Sequence, residues 1–238
     1  MNLLLLEPGE RRLSSRDPRA RHIHKVLHAS AGDRLRAGEI GGPIGTALIA
    51  ADSSDGIELA FHPERDPEPL APVELLLGHP RPIVLKRMLR DLSALGLARI
   101  IVVPTELGEK SYYGSNLWNE VRAPLAEGAS QGGSTLIPEL VRAATLADGV
   151  AALEAPRPGR FVLHAGGTGV ARLEPSSGLN DTPVCVAVGS ERGWTSNEIE
   201  ALLEAGFRVS SLGTRILRTE TAALIAVWAA IARCGGRP

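Results

Sequence analysis

Two guanidinium groups and a carboxylate follow a glycine turn near the C-terminus of the sequence. Arg215, Arg218 and Glu220 lie within seven residues after Gly213. A guanidinium beside a carbonyl oxygen can stabilise negative charge that develops during a reaction, and a nearby carboxylate can orient the arginine or accept a proton. A structural interpretation stays open, because a glutamate in the first turn of a helix also complements the helix dipole. These three residues are the candidate catalytic groups.

An earlier glycine turn adds a second group of polar residues. Gly189 and Gly193 enclose Ser190, Glu191 and Arg192. Glycine lets a ligand approach the backbone closely, whereas the carboxylate of Glu191 would repel a phosphate. Neither a G-x-G-x-x-G motif after the first strand nor a G-x-x-x-x-G-K-[ST] motif occurs. The turn therefore favours a ligand with a cationic, phosphate-free end.

Regular elements must position the first of these turns. Residues 184–188 form an apolar run rich in β-branched residues, which predicts a buried strand that ends at Gly189. Cys185 within this run is expected to be a core residue. Thr195 and Glu198 have the spacing of a capping box, so we expect a helix from there to about Gly206.

The second turn follows a similar pattern. Residues 207–212 predict another short strand, and residues 219–233 predict a last apolar helix. Upstream, strands and helices alternate in a way that is typical of a largely parallel sheet. The expected strands are residues 73–77, 99–103 and 161–164, the last opening onto the glycine run 165–169, and the expected helices are residues 83–95 and 116–129. Both glycine turns then lie at the edge of the sheet where α/β proteins bind ligands.

The first 68 residues have a different pattern. Short apolar runs alternate with turns, at residues 3–6, 34–35, 45–50 and 57–61. This alternation is typical of a small β-barrel, which a helix-like segment at residues 22–28 interrupts. Prolines and acids at residues 63–72 predict a linker. We therefore expect two domains, residues 1–68 and residues 72–238, the second of the α/β class.

Charge is unevenly distributed along the chain. The formal net charge is only −1, but residues 10–36 hold eight arginine and lysine residues against three acids. Such a local excess is what a nucleic-acid contact requires, although an ordinary solvated surface has the same composition.

Two sequence signatures carry a resemblance to a known family. Residues 212–222 match L-G-x-R-I-L-R-x-E-T-A at every position, and residues 189–199 follow G-P-E-G-G-F-[ST]-x-x-E-[IL], with Ser190 and Arg192 as departures. In these residues the chain resembles the RsmE family of the SPOUT superfamily, whose members methylate N3 of a uridine in 16S ribosomal RNA. Resemblance at lower strength extends over nearly the whole chain.

The resemblance implies a fold, a cofactor and partners. It implies a PUA-like barrel that helps to bind RNA over residues 1–68, and a SPOUT domain with a C-terminal trefoil knot over residues 72–238. It further implies a homodimer that binds S-adenosyl-L-methionine and acts on 16S rRNA or the small ribosomal subunit. The implied catalytic residues are Arg215, Arg218 and Glu220.

The resemblance also implies two sets of binding residues. The cofactor set is Leu163, His164, Gly189, Ser190, Glu191, Gly193, Leu212, Gly213, Ile216, Leu217, Arg218 and Thr221. The RNA set is Arg11, Arg12, Arg21, His22 and Lys25.

Some residues depart from the family pattern on the side expected to face RNA. Asp91 stands where a lysine is usual, Ala94 where a glutamate is usual, and Ser134 where an arginine is usual. Two alternatives therefore stay open. One is a SPOUT methyltransferase that acts on another RNA, such as tRNA or 23S rRNA. The other is a non-catalytic RNA-binding assembly factor that retains the fold.

The composition argues against several other classes of protein. Two cysteines are too few for a disulfide framework or a zinc site, and the three histidines in residues 22–28 lack a recognisable ligand spacing. The apolar runs at residues 3–6 and 222–232 are too short for a signal peptide core or a membrane span. We expect a cytoplasmic protein without a metal ion.

Overall fold

The computed structural model describes residues 2–156, 159–164, 171–172 and 183–234. The chain forms two compact units. Unit 1 comprises Met1–Pro69 and Ala126–Ile137, and unit 2 comprises Leu70–Leu125 and Pro138–Pro238. The glycine run predicted at residues 165–169 lies outside the described residues. Within the part of the chain that is described, no helix is both long enough and apolar enough to cross a membrane.

Unit 1 is built on a five-stranded sheet. Its strands are β1 (Leu4–Leu6), β2 (Arg12–Ser14), β3 (Arg34–Glu39), β4 (Ile44–Ser53) and β5 (Gly56–Arg65). Their order is β1-β3-β4-β5-β2, with β1 parallel to β3 and the other pairs antiparallel. Inward-facing side chains such as Leu13, Ile49 and Ile57 are buried in one apolar cluster. A mostly antiparallel five-stranded sheet around one apolar cluster agrees with the β-barrel pattern of the sequence.

The helix-like segment and the linker of unit 1 differ in detail from the prediction. Helix α1 (Pro18–His22) leads directly into a π-helical turn, Ile23–Leu27, which ends at His28 in the left-handed conformation, with φ of 51°. Strand β5 continues to Arg65 because it pairs with β4 as far as Ile44, so the linker is shorter than the proline content predicts.

A segment from the middle of the chain completes unit 1. Apolar side chains of residues 126–137 pack against the outer side of the sheet, where Ala129 and Ile137 join Leu3 and Leu5 in one cluster. The Ser130 hydroxyl donates a hydrogen bond to the carbonyl of Leu3 at 2.6 Å. The predicted domains, residues 1–68 and 72–238, do not include residues 126–137 in the first unit, because no local sequence pattern indicates this long-range packing.

An ion-pair network fastens α1 to the start of the sheet. The Arg19 guanidinium donates to carboxylate oxygens of both Glu10 and Asp17 at 2.7 Å, and to the Leu5 carbonyl at 2.8 Å. Its hydrogen bond lowers the pKa of Asp17. Burial alone would raise the pKa of Glu10, but the hydrogen bonds from Arg19 and from the Glu7 N–H, together with the charge of Arg19, outweigh it and the pKa is lowered.

Replacing Arg19 with methionine should therefore destabilise unit 1 in a pH-dependent way. A carboxyl group whose pKa is lowered by folding stabilises the fold above its unfolded pKa, about 4, and this contribution is lost as the pH falls through the folded value. Hydrogen exchange of peptides from residues 2–69 should be faster in the variant at pH 7 than in the wild type, with a smaller difference at pH 3. Arg16→Met is the control, and an equal difference at both pH values would contradict the network's role.

Unit 2 is built on a parallel sheet with helices on its faces. Its strands are β6 (Ala71–Gly78), β7 (Leu97–Val103), β8 (Glu139–Arg142), β9 (Arg160–Leu163), β10 (Ala171–Arg172), β11 (Val184–Val188) and β12 (Arg208–Ser211). Their order is β10-β12-β9-β11-β6-β7-β8, and each neighbouring pair is parallel. Because all these strands run in one direction, their carboxyl ends meet at a single edge of the sheet.

The helices of unit 2 follow the strands. They are α2 (Pro82–Leu95), α3 (Lys110–Tyr113), α5 (Leu146–Ala151), α6 (Ser196–Glu204) and α7 (Thr219–Arg233), while α4 (Arg122–Gly132) spans the division between the units. Strand β11 is buried along its whole length and includes Cys185, as predicted. Helix α7 begins and ends where the sequence predicts.

The helix predicted at residues 116–129 is wrong in its first half. A 3₁₀ turn, Asn116–Asn119, is separated from α4, which begins at Arg122. Pro124 explains the break, because a proline ring would clash with the carbonyl four residues earlier in a continuous helix but is tolerated in the first turn.

Candidate active site

The two glycine turns flank the end of one strand. Strand β9 lies between β11 and β12, so the turn after β11 and the turn after β12 flank its end at Leu163 and His164. A cleft of about 960 Å³ opens there, at the carboxyl edge of the sheet. Ligand pockets commonly have volumes of about 300–1,000 Å³, so the cleft has room for a ligand larger than a nucleoside.

The turn after β11 is held in a tight conformation that needs glycine. A Cβ atom at Gly189 would lie 2.7 Å from the carbonyl carbon and 2.8 Å from the Cα atom of Gly193. The Gly193 N–H donates to the Ser190 carbonyl at 2.9 Å, and Gly193 has a φ of 73°. The backbone therefore folds back on itself and leaves no space for a side chain at Gly189.

Helix α6 follows this turn, and hydrogen bonds at its start hold the end of the turn in place. The Thr195 side chain accepts from the Glu198 N–H, and the Glu198 carboxylate accepts from the Thr195 N–H, which confirms the predicted capping box. Glu198 also accepts from the N–H of Glu106, at 2.9 Å, in the loop after β7. Trp194 packs into the core of the sheet and also lines the cleft.

The turn after β12 presents its residues to solvent. Gly213 has a φ of 132°, a conformation that residues with a side chain rarely adopt. Ile216 is 87% exposed although it is aliphatic. Arg218 occupies the N-cap position of α7 and Glu220 lies in its first turn. A single exposed aliphatic residue is common on protein surfaces, so it is the position of Ile216 in the lining of the cleft that makes it a candidate for ligand contact.

Arginines dominate the charge of the cleft. Five of them line it, namely Arg81, Arg87, Arg192, Arg215 and Arg218, against two carboxylates, Glu191 and Glu220. Glu191 accepts a hydrogen bond from the backbone N–H of Arg81 at 2.9 Å. Among the described residues, Arg87, Arg215 and Arg218 have no ion-pair partner. Their charge is therefore available to an anionic partner such as a nucleic acid.

The structure brings together almost all of the predicted catalytic and cofactor residues. Thr221 is the exception, since it is exposed on α7 and does not line the cleft. The others line it, namely Leu163, His164, Gly189, Ser190, Glu191, Gly193, Leu212, Gly213, Arg215, Ile216, Leu217, Arg218 and Glu220. His164 is exposed and its N–H continues the sheet by donating to Ser210.

One wall of the cleft was not predicted. Arg81, Ile83, Val84 and Arg87, at the start of α2, line it beside the glycine turns. They reach it because β6, which precedes α2, is the neighbour of β11 in the sheet. No local sequence motif marks these residues, since strand order is not visible in a single sequence.

The predicted RNA set lies in unit 1. Arg12 is exposed on β2, and Arg21, His22 and Lys25 lie on α1 and the π-helical turn, where Arg21 and Lys25 are exposed. Arg11 pairs with Glu39 at 2.8 Å and its guanidinium lies 5.5 Å from the centre of the Phe61 ring. All five residues therefore belong to one unit, and within the described part of the chain Arg11 is the one of them that pairs with a carboxylate. No group of three or more potential ligands arranged to hold a metal ion is found among the described residues.

Comparisons with known proteins extend these observations. Residues 66–231 match a family described as an RNA methyltransferase domain. The chain is 37% identical over 242 residues to ribosomal RNA small subunit methyltransferase E of Treponema pallidum, covering 95% of this chain and 89% of the relative. It is 30% identical over 237 residues to ribosomal RNA small subunit methyltransferase E 1 of Borreliella burgdorferi, covering 95% of each.

Solved structures share the fold. A probable rRNA-methyltransferase from Porphyromonas gingivalis superimposes with a TM-score of 0.78 at 23% identity, covering 99% of both chains. Ribosomal RNA small subunit methyltransferase E from Neisseria gonorrhoeae, bound to S-adenosyl methionine, superimposes with a TM-score of 0.74 at 23% identity, covering 97% of both chains.

Proposed function

Since this chain belongs to the ribosomal RNA small subunit methyltransferase E family of RNA methyltransferases, we propose that it transfers a methyl group from S-adenosyl-L-methionine to N3 of a uridine in 16S rRNA. The observation that carries the proposal is the shared cleft. Both family signatures, which twelve residues separate in the sequence, contribute to one pocket of about 960 Å³. The cleft contains every candidate catalytic residue.

The residues of the cleft fit this cofactor. Gly189 and Gly213 keep side chains away from the backbone at the ends of two strands, where peptide groups can hydrogen-bond adenine and ribose. The carboxylates of Glu191 and Glu220 can lie beside the cationic end of this cofactor, while the arginines of the cleft remain available to the RNA. When bound, S-adenosyl-L-methionine supplies an electrophilic methyl group on a cationic sulfur.

The chain's own residues prepare the nucleophile. N3 of uracil carries a proton, and its loss leaves negative charge that spreads onto the two carbonyl oxygens. Arg215 and Arg218, exposed and without ion-pair partners among the described residues, can donate hydrogen bonds to those oxygens. Glu220 can orient an arginine or accept the proton. The walls of the cleft hold the reacting groups in line, which removes much of the entropic cost of their meeting.

We assign RNA recognition to unit 1, whose residues 10–36 are rich in arginine and lysine. We propose that residues 1–68 form a PUA-like domain, that residues 72–238 catalyse the transfer, and that Arg11, Arg12, Arg21, His22 and Lys25 contact phosphates. Phosphate contacts position a nucleic acid without reading its sequence. A target uridine within a helix would have to be flipped out of the stack to reach the cleft.

Family membership supports three further parts of the proposal. The C-terminal part of the chain forms a trefoil knot, two chains associate as a homodimer, and the enzyme acts in the cytoplasm, where its ribosomal substrate is found. Knots are otherwise rare in proteins, so this part of the proposal depends on the family alone.

Two measurements test the function. Isothermal titration with S-adenosyl-L-methionine should show binding, and mass spectrometry of 16S rRNA nucleosides should show 3-methyluridine only in cells or reactions that contain the protein. Absence of cofactor binding would favour a non-catalytic RNA-binding assembly factor. A methylated base in tRNA or 23S rRNA, with none in 16S rRNA, would show that the target is another RNA.

A further inference from the structure

Aromatic residues are scarce in this chain but gather at one place. Both of its two tyrosines and one of its three tryptophans lie within residues 112–118. The rings of Tyr113 and Trp118 lie 5.2 Å and 5.5 Å from the ring of His79, and the ring of Tyr112 lies 6.5 Å from it. We call these four residues the aromatic cluster.

A cation is stacked on the same cluster. The Arg142 guanidinium lies 4.6 Å from the centre of the Tyr113 ring and 4.9 Å from that of Trp118. Arg142 also donates a hydrogen bond to the carbonyl of Tyr113. Aromatic rings together with an arginine plane are the surface on which proteins stack the unpaired bases of single-stranded RNA.

Three buried polar atoms of this region lack a partner. Within the described part of the chain, Nε2 of His79, Oγ of Ser115 and Nε1 of Trp118 are buried without a hydrogen bond. Buried polar groups are nearly always paired, so three in one place require an explanation. A core that served packing alone would gain nothing from them.

The protonation state of His79 determines whether its unpaired ring nitrogen donates or accepts a hydrogen bond. The side chain is only 4% exposed, and burial lowers its pKa, so the ring is neutral at physiological pH. Nδ1 lies 2.6 Å from the Pro80 carbonyl, which can only accept a hydrogen bond, so the proton is on Nδ1. Nε2 is therefore an acceptor and the Trp118 Nε1–H a donor. The edge of a nucleobase offers both complementary groups.

The cluster lies close to the cleft along the chain. His79 directly follows β6 at the carboxyl edge of the sheet, and the next residue but one, Arg81, lines the cleft and donates to Glu191. Arg142 ends β8 at the same edge. A strand of RNA with one base in the cleft can therefore present a neighbouring base to the cluster.

We propose that the aromatic cluster is a second nucleotide subsite, which holds an unpaired base of the RNA next to the base that is methylated. This inference depends on the proposed function. The base stacks on the Tyr112 ring, and its edge pairs with Nε2 of His79 and Nε1–H of Trp118. Because both atoms are buried in this structure, the segment 110–119, which carries Trp118, must move away from His79 for a base to reach them.

Fluorine NMR of the full chain labelled with 5-fluorotryptophan tests this placement. The three tryptophans give three signals, assigned with Trp118→Phe and Trp228→Phe variants. A single-stranded ten-nucleotide RNA rich in uridine should shift the Trp118 signal, whereas S-adenosyl-L-methionine should shift that of Trp194, which lines the cleft. RNA that binds, as measured by fluorescence anisotropy, without moving the Trp118 signal would overturn the subsite. A missing Trp194 response to cofactor would instead count against the proposed function.

A pair of variants separates stacking from packing. Tyr112→Ala should raise the Kd for this RNA about tenfold, because it removes a stacking surface, while Tyr112→Phe should leave it unchanged. The Kd for S-adenosyl-L-methionine should be the same in both variants. Equal RNA affinities for the two variants would overturn the proposal, whatever their thermal stabilities.

Discussion

Replacing Arg218 with alanine should lower kcat/KM for methyl transfer by about 10²–10³-fold, the loss found when one donor to a developing oxyanion is removed. Arg218 is exposed at the N-cap of α7, where its side chain makes no capping hydrogen bond. Its loss should therefore change the free energy of unfolding by less than about 0.5 kcal/mol. Transfer of a labelled methyl group to small ribosomal subunits measures the rate, and urea unfolding measures the stability.

Two further variants identify what Arg218 contributes. Arg87→Ala is the matched control, because Arg87 is another exposed arginine of the cleft without an ion-pair partner among the described residues. An equal loss in both variants would mean that only the overall positive field matters. Arg218→Lys should fall between alanine and the wild type, because lysine keeps the charge but not the planar fork of donors. Full activity of Arg218→Ala would remove this residue from the mechanism.

The parts of the site that the sequence predicts are those determined by neighbours along the chain. Thr195 and Glu198 announce the start of α6 because a capping box needs only two residues three positions apart. Strand β11 ends just before Gly189 because a glycine turn follows it. Helix α7 begins at Thr219 because apolar residues with helical spacing start there. The two signatures could therefore be placed on a strand, a turn and a helix before any tertiary structure was considered.

The remaining parts depend on contacts between distant residues. The glycine turns of β11 and β12 are consecutive in the chain, yet β9 separates their strands in the sheet and contributes Leu163 and His164 to the cleft between them. Helix α2 forms a wall only because β6 pairs with β11, more than a hundred residues later. Neither pairing has a local signal, so single-sequence reasoning could reach the edge of the sheet but not its strand order.

The aromatic cluster could not be predicted from the sequence, because its significance depends on which atoms are buried. His79 follows an apolar strand and precedes two prolines, a pattern that predicts a turn and nothing more. Its significance arises when the structure shows Nε2 buried without a partner beside Trp118 and Ser115. Buried unpaired groups are properties of packing, and no motif records them.

Replacing Gly189 with alanine should raise the Kd for S-adenosyl-L-methionine at least about tenfold, equivalent to 1.4 kcal/mol. The added methyl group would meet Gly193 and the backbone nitrogen of Trp194, at 3.1 Å, and backbone atoms cannot rotate away as a side chain can. The turn also packs closely against Gly78, where an added Cβ atom would lie 2.6 Å from the backbone nitrogen of Ser190. The displaced turn would therefore move into the cleft and narrow the space for the cofactor. Isothermal titration measures the effect.

Stability measurements decide whether the cleft or only the fold responds to Gly189→Ala. Overpacking of this kind should also cost about 1–3 kcal/mol of unfolding free energy. Gly42→Ala is the matched control. A Cβ atom there would lie 3.5 Å from Glu39, an ordinary contact distance, and residue 42 is far in the sequence from every residue of the cleft. This variant should leave both quantities nearly unchanged. A Gly189→Ala variant that is destabilised but binds the cofactor with wild-type affinity would show that the turn shapes the fold without holding the ligand.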